Sequence, residues 1–443
     1  MKQEVTYRRI WDIAWPIILG SIAQNIIAVT DTAFLGRVSE VALGAVAIGG
    51  IFYLAITMLG WGFGIGTQII VARRYGEQRK SEIGEVIEHA LYFLVPVAIL
   101  LFIVLQLFSQ TILSHLVSSD NILESSNLYL SYRSFGIFFA FVNMAFRALY
   151  IGTARTRIIT LSTIAMAIVN IFLDYVLIFG KMGFPIMGIK GAAIASVLAE
   201  ITATAVFIIY AVRDYELPQY HIFYFKRFKR DLYLRIIRVA SPVMFQNFFS
   251  ISVWFIFFIL VESMGEHPLA ISNIIRSIYL ILMLPVWGFA SATNTLVSQI
   301  IGQGNLEDVM KVSFKVIHLS FLSVLFIVGL NMIAPEKVLL LYTNDMSLVK
   351  DALPVLYVVS GSALFISIGF ILFNTVSGTG KTNISLMLEL VVLTIYLIYS
   401  YTILKVFNVS VAQIWTAEFV YGLLLMLLSY LYLKSNHWHR SRI

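Results

Sequence analysis

Residues 41–72 of this chain read VALGAVAIGGIFYLAITMLGWGFGIGTQIIVA, and no charged side chain occurs among them. A helix needs roughly 20 apolar residues to cross the hydrocarbon core of a bilayer, so this stretch is long enough to span a membrane. The whole chain agrees, since 59% of its 443 residues are hydrophobic and 12% are charged. Soluble domains carry about 25% charged residues. The composition therefore predicts lipid as the main solvent.

Apolar runs of this kind recur along the chain, separated by polar or turn-rich breaks. About twelve runs can be delimited by length and hydropathy, near residues 11–35, 43–72, 88–110, 128–151, 158–180, 190–212, 239–261, 269–300, 312–334, 352–376, 384–406 and 409–433. We therefore predict an all-α polytopic membrane protein with twelve transmembrane helices. An even number of spans places both termini on the same side of the membrane.

Lys and Arg residues are distributed unevenly between the two sets of breaks. The N-terminal tail and the even-numbered breaks are rich in them, as in Arg73-Arg74 and Arg155 to Arg157. The opposite breaks hold Arg37, Lys181, Lys190, Lys337, Lys350 and Lys405. The positive-inside rule then predicts cytoplasmic termini in a multi-pass protein of the plasma (inner) membrane. Because the positive charges alternate along the chain and form no single patch, nucleic acid is not expected as a partner.

The chain repeats itself at one constant spacing along the sequence, equal to the number of residues from Pro16 to Pro242. At that spacing Trp61-Gly62-Phe63 returns as Trp287-Gly288-Phe289. The same spacing joins Glu40 to Glu266, Tyr53 to Tyr279, Gly76 to Gly302 and Gly152-Thr153 to Gly378-Thr379. A spacing that persists without a gap from the first of these pairs to the last indicates internal duplication.

Each copy contains six predicted spans, so the two copies have the same orientation in the membrane. We predict two six-helix bundles related by a pseudo-two-fold axis along the membrane normal, the arrangement of transporters with parallel repeats. Residues 1–212 form the predicted N-lobe and residues 239–443 the predicted C-lobe. Between them, the basic and aromatic segment 213–238 is a cytoplasmic linker that we expect to lie on anionic membrane lipid.

Two carboxylates stand inside otherwise apolar runs of the N-lobe. Asp31 belongs to the run that begins near Trp11, and Asp174 belongs to the run that begins near Ile158. At about 1.5 Å of rise per residue, both are far enough from the start of their runs to reach the outer half of the membrane. Each shares a helix face with an amide, because Gln24 precedes Asp31 by two helical turns and Asn170 precedes Asp174 by one.

Ionisable groups at this depth are costly and usually face a water-filled cavity or a partner. A carboxyl group in such a cavity can bind and release a proton near the working pH, so Asp31 and Asp174 are candidates for a chemical switch. The alternative is that each Asp accepts hydrogen bonds and only holds helices together. Two acids at matched depth, with amides on their faces, favour a functional site.

Other charged residues in the runs are expected to be structural. Arg133, Arg147 and Arg276 are near enough to helix ends to extend their charged groups toward water. We expect Glu200, Glu389 and Glu418 to be paired with these arginines or with hydroxyl groups, and the sequence assigns them no role. H-E-x-x-H and G-x-S-x-G motifs are absent from the sequence, so we do not expect an enzyme.

The pattern resembles the multidrug and toxic compound extrusion (MATE) transporters over nearly the whole chain. The motifs that carry the resemblance are AWPIILGSIAQNIIAVTDTAFLGRVSEVALGAVAIG (14–49), FRALYIGTARTR (146–157), NIFLDYVLIFG (170–180) and GIKGAAIAS (188–196). Their order and spacing are more specific than any one of them alone. Within the family, the sequence is most similar to the DinF-like branch.

The resemblance implies functional roles for particular residues. It implies a cation-coupling site in the N-lobe at Asp31 and Asp174, with contributions from Asn170, Asn143 and Ser196. It also implies that Gln24 lies on the substrate side of the first helix, and that the first helix bends at Pro16 when its Asp is protonated. The other main branch has acids at positions that correspond here to Ser250 and Ile366, so a C-lobe cation site of that style is not expected.

These observations predict a secondary antiporter that exports amphipathic, cationic organic compounds in exchange for H⁺ or Na⁺. The two ions are not distinguished by the sequence, and Na⁺ at Asp31 and Asp174 is the one metal considered. No cofactor is expected, and we expect a monomer. Phe34, Met58 and Met283 are candidates for a permissive, polyspecific pocket wall. The alternatives are a flippase for a lipid or lipid-linked substrate, and a receptor or scaffold that transports nothing.

Overall fold

The computed structural model describes residues 5–115, 117, 119–215, 217–224, 228–407 and 409–440, and in those ranges the regular secondary structure is helical, without a strand. The first seven α-helices are α1 (Tyr7–Gly36), α2 (Glu40–Gly76), α3 (Ile83–Ser114), α4 (Asp120–Arg133), α5 (Gly136–Gly152), α6 (Arg157–Phe179) and α7 (Gly188–Arg213). The remainder are α8 (Arg230–Glu262), α9 (Glu266–Gly302), α10 (Asp308–Ile333), α11 (Pro335–Leu340), α12 (Met346–Gly378), α13 (Thr382–Phe407), α14 (Val411–Ile414) and α15 (Ala417–Lys434).

The number of membrane spans agrees with the prediction. In the described part of the chain, 11 helices are long and apolar enough to cross a membrane, or 12 if α4 and α5 count as one span. These two helices are bent by 52° at the break between Arg133 and Gly136. The fourth predicted run, 128–151, is therefore a broken span and not a straight helix.

The internal repeat is visible in the helix boundaries. Helices α2 and α9 both contain 37 residues, and their first and last residues differ by the same spacing as the sequence repeat. Helices α5 and α12 end at Gly152 and Gly378, again at that spacing. The duplicated sequence thus folds into duplicated helices.

Local chemistry fixes several helix ends. The Ser39 hydroxyl accepts a hydrogen bond from the backbone N–H of Ala42 (3.0 Å) and begins α2. The carboxylate of Asp345 accepts one from the N–H of Ser347 (2.8 Å) at the start of α12. Such side chains satisfy N–H groups that have no partner within the helix. Helix α6 ends where Gly180 adopts a left-handed φ of 65°.

The contacts divide the chain into two compact units. We call Leu19–Met244 the first unit, and the described residues up to Ile18 together with those from Phe245 onward the second unit. The divisions fall inside α1 and α8, shortly after Pro16 and Pro242. The predicted lobes differ from these units at two places. The part of α1 up to Ile18 belongs to the second unit, and the part of α8 up to Met244 belongs to the first unit.

In the first unit, glycines on α2 allow the beginning of α8 to approach its backbone. A Cβ atom on Gly66 would lie 2.3 Å from the Cα of Ala240, and one on Gly62 would lie 2.6 Å from the Cα of Met244. Small residues at close helix crossings are common in membrane proteins. The GFGIG motif at 62–66 is therefore a packing surface, and it is not a nucleotide-binding loop.

We expect Gly66→Ala to lower the free energy of unfolding by about 1–3 kcal/mol, because the new methyl group meets backbone that cannot move away cheaply. The measurement is thermal unfolding of the purified protein in detergent. Gly50→Ala is the matched control on the same helix, since a Cβ there has no neighbouring atom within 4 Å. Equal stability of the two variants would contradict this account of the crossing.

The described part of the predicted linker packs against the start of α3. The backbone N–H of Lys229 donates to Nε2 of His89 (2.9 Å), and its ammonium group contacts Glu85 (2.6 Å). The ring of Phe228 stacks on His89 at 5.3 Å. Lys226 and Arg227 lie outside the described residues. Contact with lipid stays a prediction, while the anchoring to α3 is observed.

Candidate functional site

Three helices of the first unit carry four of the predicted cation-site residues, Asp31, Asn170, Asp174 and Ser196. Helix α1 lies against α6, where a Cβ on Gly20 would be in ordinary contact with the side chain of Thr163 (3.4 Å). Helix α7 approaches the backbone of α6 even more closely, because a Cβ on Gly191 would lie 2.8 Å from the carbonyl group of Leu177. Asp31 on α1, Asp174 on α6 and Ser196 on α7 are carried by these helices.

The structure brings Asp31 and Asp174 into direct proximity. Their carboxyl groups are within hydrogen-bonding reach of each other. Asp174 and Asn170 are fully buried, and Asp31 is half-buried. The two acids therefore form one pair, as expected from their matched depth.

Several buried polar atoms of Asp31, Asp174 and Asn170 have no hydrogen-bond partner within the described ranges. They are Oδ1 of Asp31, both carboxyl oxygens of Asp174, and both amide atoms of Asn170. Two ionised carboxylates cannot donate to each other, so their proximity requires a shared proton or a cation between them. The donor set of carboxylate and amide oxygens fits either H⁺ or Na⁺, since hard cations prefer oxygen ligands.

Asn143 and Ser196 occupy different surroundings. The amide of Asn143 donates to the backbone carbonyl of Glu200 (3.1 Å) and accepts from the hydroxyl of Thr204 (2.8 Å). Its hydrogen bonds therefore go to α7 and fix that helix against α5. Ser196 is almost fully buried on α7, one turn before Glu200. The amide of Asn143 is therefore used in helix packing, whereas the buried amide atoms of Asn170 have no hydrogen-bond partner among the described residues.

A buried ion pair lies at the break between α4 and α5. Nη2 of Arg133 donates to Oε1 of Glu200 (2.6 Å), and its Nη1 donates to Oε2 of Glu200 and to the hydroxyl of Tyr53 (both 3.0 Å). The expectation that Arg133 extends to water is wrong, because Glu200 offers it a bidentate partner inside the protein. The expectation that Glu200 is paired with an arginine is confirmed.

The ion pair also influences the carboxyl pair. The positive charge of Arg133 is close enough to act on Asp31. A Cβ on Gly136 would lie 2.2 Å from both Nη1 of Arg133 and Oε2 of Glu200. The sequence predicts the pairing of Glu200 with an arginine, but it does not predict the contact with Tyr53 or the close approach to Gly136.

The residues predicted to line a substrate pocket differ in their exposure. Gln24 and Met58 are half-buried, and the half-buried ring of Phe34 contacts Phe179 edge to face at 5.6 Å. Met283 is buried in the core of the second unit, where it offers little surface to a substrate. Pro16 is buried within α1, which continues through it as one helix.

The other acids and arginines of the spans also have partners. Glu389 accepts from the hydroxyls of Ser250 (2.7 Å) and Tyr421 (3.1 Å), and Glu418 accepts from two tyrosines. The expectation of hydroxyl partners for both glutamates is thus confirmed. Arg147 and Arg276 lie over the rings of Trp61 and Phe258. Within the described ranges, no group of three or more His, Cys, Asp or Glu side chains is arranged to hold a metal ion.

Comparisons with known proteins agree with this architecture. The MatE family model matches residues 16–176 and again residues 242–402. A probable multidrug resistance protein NorM from Thermotoga maritima is 23% identical over 97% of this chain and 93% of its own. One from Agrobacterium fabrum is 25% identical over 68% of this chain and 65% of its own. The fold matches an outward-facing multidrug resistance MATE family transporter of the MOP superfamily, with a TM-score of 0.90 at 18% identity, covering 97% and 95% of the two chains.

Proposed function

This chain belongs to the MatE family of membrane transporters, and from that membership we propose that it is a secondary antiporter which exports amphipathic, cationic organic compounds. Entry of H⁺ or Na⁺ at the N-lobe carboxyl pair drives the cycle. Family members are transporters, so the chain is not an enzyme, and the export itself needs no cofactor. The relatives described above are named as multidrug resistance proteins, which supports the substrate class.

One observation carries the proposal: Asp31 and Asp174 share a site that is incomplete without a positive charge. A proton or a sodium ion between the carboxyl groups removes their repulsion and satisfies oxygens that have no protein donor. The pair joins α1 to α6, so its occupancy changes how strongly these two helices hold together. Occupancy of the pair therefore biases the conformation of α1.

Helix α1 can respond to that change at Pro16. A proline within a helix removes one backbone hydrogen bond and permits a bend. We propose that cation binding bends α1 near Pro16 and favours release of substrate to the outside. Gln24 and Phe34 on the same helix then contact substrate, with Met58 on α2 and Met283 on α9 as further wall residues that a change of conformation exposes.

The proposal also covers the orientation of the chain in the membrane, its lobes and its branch of the family. We propose cytoplasmic termini in the plasma membrane, because positive charges concentrate in the even-numbered breaks. The lobes are residues 1–212 and 239–443, with the linker 213–238 between them on the side of anionic lipid, and the working unit is a monomer. We assign the chain to the DinF-like branch because Asp31 and Asp174 are present while Ser250 and Ile366 replace the acids of the other branch.

The two alternatives are less well supported. A flippase for a polyanionic lipid-linked substrate requires basic residues facing its cavity, whereas the carboxyl pair in the first unit is acidic. A receptor or scaffold has no use for two buried carboxyl groups that need a cation. The relatives named above are probable multidrug resistance proteins by name, which favours export of organic compounds over both alternatives.

The test is efflux of a fluorescent cationic dye from proteoliposomes that contain the purified protein. A pH gradient and a Na⁺ gradient are imposed separately, with protein-free liposomes as the control. We expect one of the two gradients to drive efflux above the control, which also identifies the coupling ion. Efflux that responds to neither gradient would overturn the antiporter proposal and redirect the search to lipid substrates.

A further inference from the structure

The core of the second unit contains two buried glutamates to which the described residues offer no ion-pair partner. Glu389 on α13 is 1% exposed and Glu418 on α15 is 3% exposed. Among the described residues, neither takes part in an ion pair. A buried carboxylate without a positive partner is strongly disfavoured, so the group either finds a cation or keeps its proton.

Glu418 is held by hydroxyl groups from two helices. Its Oε2 accepts from the hydroxyl of Tyr279 on α9 (3.2 Å), and its Oε1 accepts from the hydroxyl of Tyr396 on α13 (3.0 Å). The indole of Trp254 on α8 is also within reach. Aromatic rings surround this position, because Phe257 packs against both Tyr396 (5.7 Å) and Trp415 (5.2 Å).

Glu389 is placed similarly and has one carboxyl oxygen to spare. Its Oε1 accepts from Ser250 on α8 and Tyr421 on α15. Its Oε2 is buried and has no hydrogen-bond partner in the part of the chain that the structure describes. The rings of Tyr396 and Tyr421 meet edge to face at 6.2 Å and connect the surroundings of the two glutamates.

The internal repeat allows Glu418 to be compared with Glu200 of the first unit through the tyrosines that contact them. The two family matches, 16–176 and 242–402, begin and end at the spacing of the sequence repeat, so positions within these ranges can be assigned from one copy to the other. Tyr53 corresponds to Tyr279, and each of these tyrosines contacts a glutamate of its own unit, Glu200 for Tyr53 and Glu418 for Tyr279. In the first unit, Arg133 neutralises Glu200. The position equivalent to Arg133 is Val359, which leaves Glu418 without a charge partner.

The repeat also relates this place to the carboxyl pair. Asp31 corresponds to Phe257, Asn170 to Tyr396 and Asp174 to Ser400. The second copy therefore has no acid at the positions that carry the aspartate pair in the first copy. In the second unit, the carboxyl group of Glu418 on α15 contacts Tyr396, the residue equivalent to Asn170.

The other charged groups on the surrounding helices do not provide a charge partner for Glu389 or Glu418 among the described residues. The titratable groups that act on the two glutamates are Tyr279 from α9, Tyr396 from α13 and Tyr421 from α15, and α8 contributes Ser250 and Trp254. Arg276 of α9 lies over the ring of Phe258 and forms no ion pair in the described part of the chain. The other charged residues on the packed helices lie in the parts nearer the helix ends: Arg230, Asp231, Arg235, Arg238, Glu262, Glu266, His267, Lys350, Asp351, Lys405 and Lys434.

We propose that Glu418 and Glu389 are protonated in this conformation and form a second proton-binding site, in the unit that lacks the aspartate pair. The ligand is H⁺, because both carboxyl groups are almost fully buried and each is held by hydroxyl groups, which leaves a proton as the species that neutralises them. Tyrosine hydroxyls can donate to the ionised form or accept from the protonated form, so they tolerate gain and loss of the proton. The existence of this site does not depend on the proposed antiport, whereas its use in transport rests on it.

The test measures protonation directly by infrared spectroscopy of the full chain in lipid nanodiscs. The starting protein is Asp31→Asn/Asp174→Asn, which removes the aspartate pair from the signal. We expect the band of protonated carboxyl groups to persist at neutral pH and to disappear reversibly at alkaline pH. Glu418→Gln and Glu389→Gln should each remove part of that band, and the combined variant should remove it completely.

Controls keep the result interpretable. Glu266→Gln changes an exposed glutamate of the same unit and should leave the neutral-pH band unchanged. Tyr396→Phe keeps Glu418 but removes one hydrogen bond, so it should shift the band frequency without removing the band. Size-exclusion chromatography and thermal unfolding identify variants that fail to fold. A neutral-pH band unaffected by both glutamine variants would overturn the second site, whereas loss of dye efflux alone would bear only on the proposed antiport.

Discussion

Asp31→Asn is expected to reduce ion-driven dye efflux to the level of protein-free liposomes. The asparagine keeps the size of the side chain but cannot exchange a proton or contribute a negative charge to a cation site. The carboxyl of Asp174 then faces an amide, and the site no longer changes its charge during the cycle. Efflux in proteoliposomes, under the gradient that drives the wild type, is the measurement.

The matched control for this prediction is Asp12→Asn. It makes the same substitution on the same helix at an exposed position, and we expect it to retain driven efflux. Asp174→Asn should reproduce the loss seen with Asp31→Asn, because each acid alone leaves an incomplete pair. Normal coupling in Asp31→Asn would show that the aspartate only holds α1 against α6.

The second large effect is expected at the buried ion pair. Arg133→Gln leaves Glu200, whose side chain is 13% exposed, without its charge partner, and breaking a buried pair typically costs about 3–5 kcal/mol of stability. We expect a correspondingly large fall in the thermal unfolding midpoint of the purified protein. Since Arg133 also acts on Asp31, driven efflux should weaken in any folded fraction.

Two comparisons separate charge pairing from side-chain size. Arg133→Leu/Glu200→Leu removes both charges, and we expect it to recover much of the stability that Arg133→Gln loses, since paired replacement leaves no buried charge. Arg37→Gln, at an exposed position, should change stability by less than about 0.5 kcal/mol. Equal stability of Arg133→Gln and wild type would mean that Glu200 is neutral without its partner.

These experiments test different parts of the molecule. The aspartate substitutions concern coupling in the first unit, the arginine substitutions concern the fold around it, and the glutamate substitutions concern proton binding in the second unit. With both sites present, each half of the antiporter would contain carboxyl groups that bind protons. The acids differ between the two copies, and so do the helices that carry them.

The sequence alone determined the number and nature of the spans, because hydropathy over about 20 residues is a local property that lipid imposes directly. It also determined the duplication, since helices α2 and α9 begin and end at the spacing read from the letters. The proposal that Asp31 and Asp174 act as a pair followed from their depth, since a fixed rise per residue converts sequence distance into height in the membrane.

Only the tertiary structure decided which charges meet. Arg133 and Glu200 are 67 residues apart, and their pairing depends on the bend between α4 and α5 and on the space left by Gly136. That Glu418 is held by the tyrosines of α9 and α13, while Val359 stands at the position equivalent to Arg133, became apparent only in the structure. Burial and hydrogen bonding are set by neighbours from distant parts of the chain, so periodicity and depth along one helix cannot specify them.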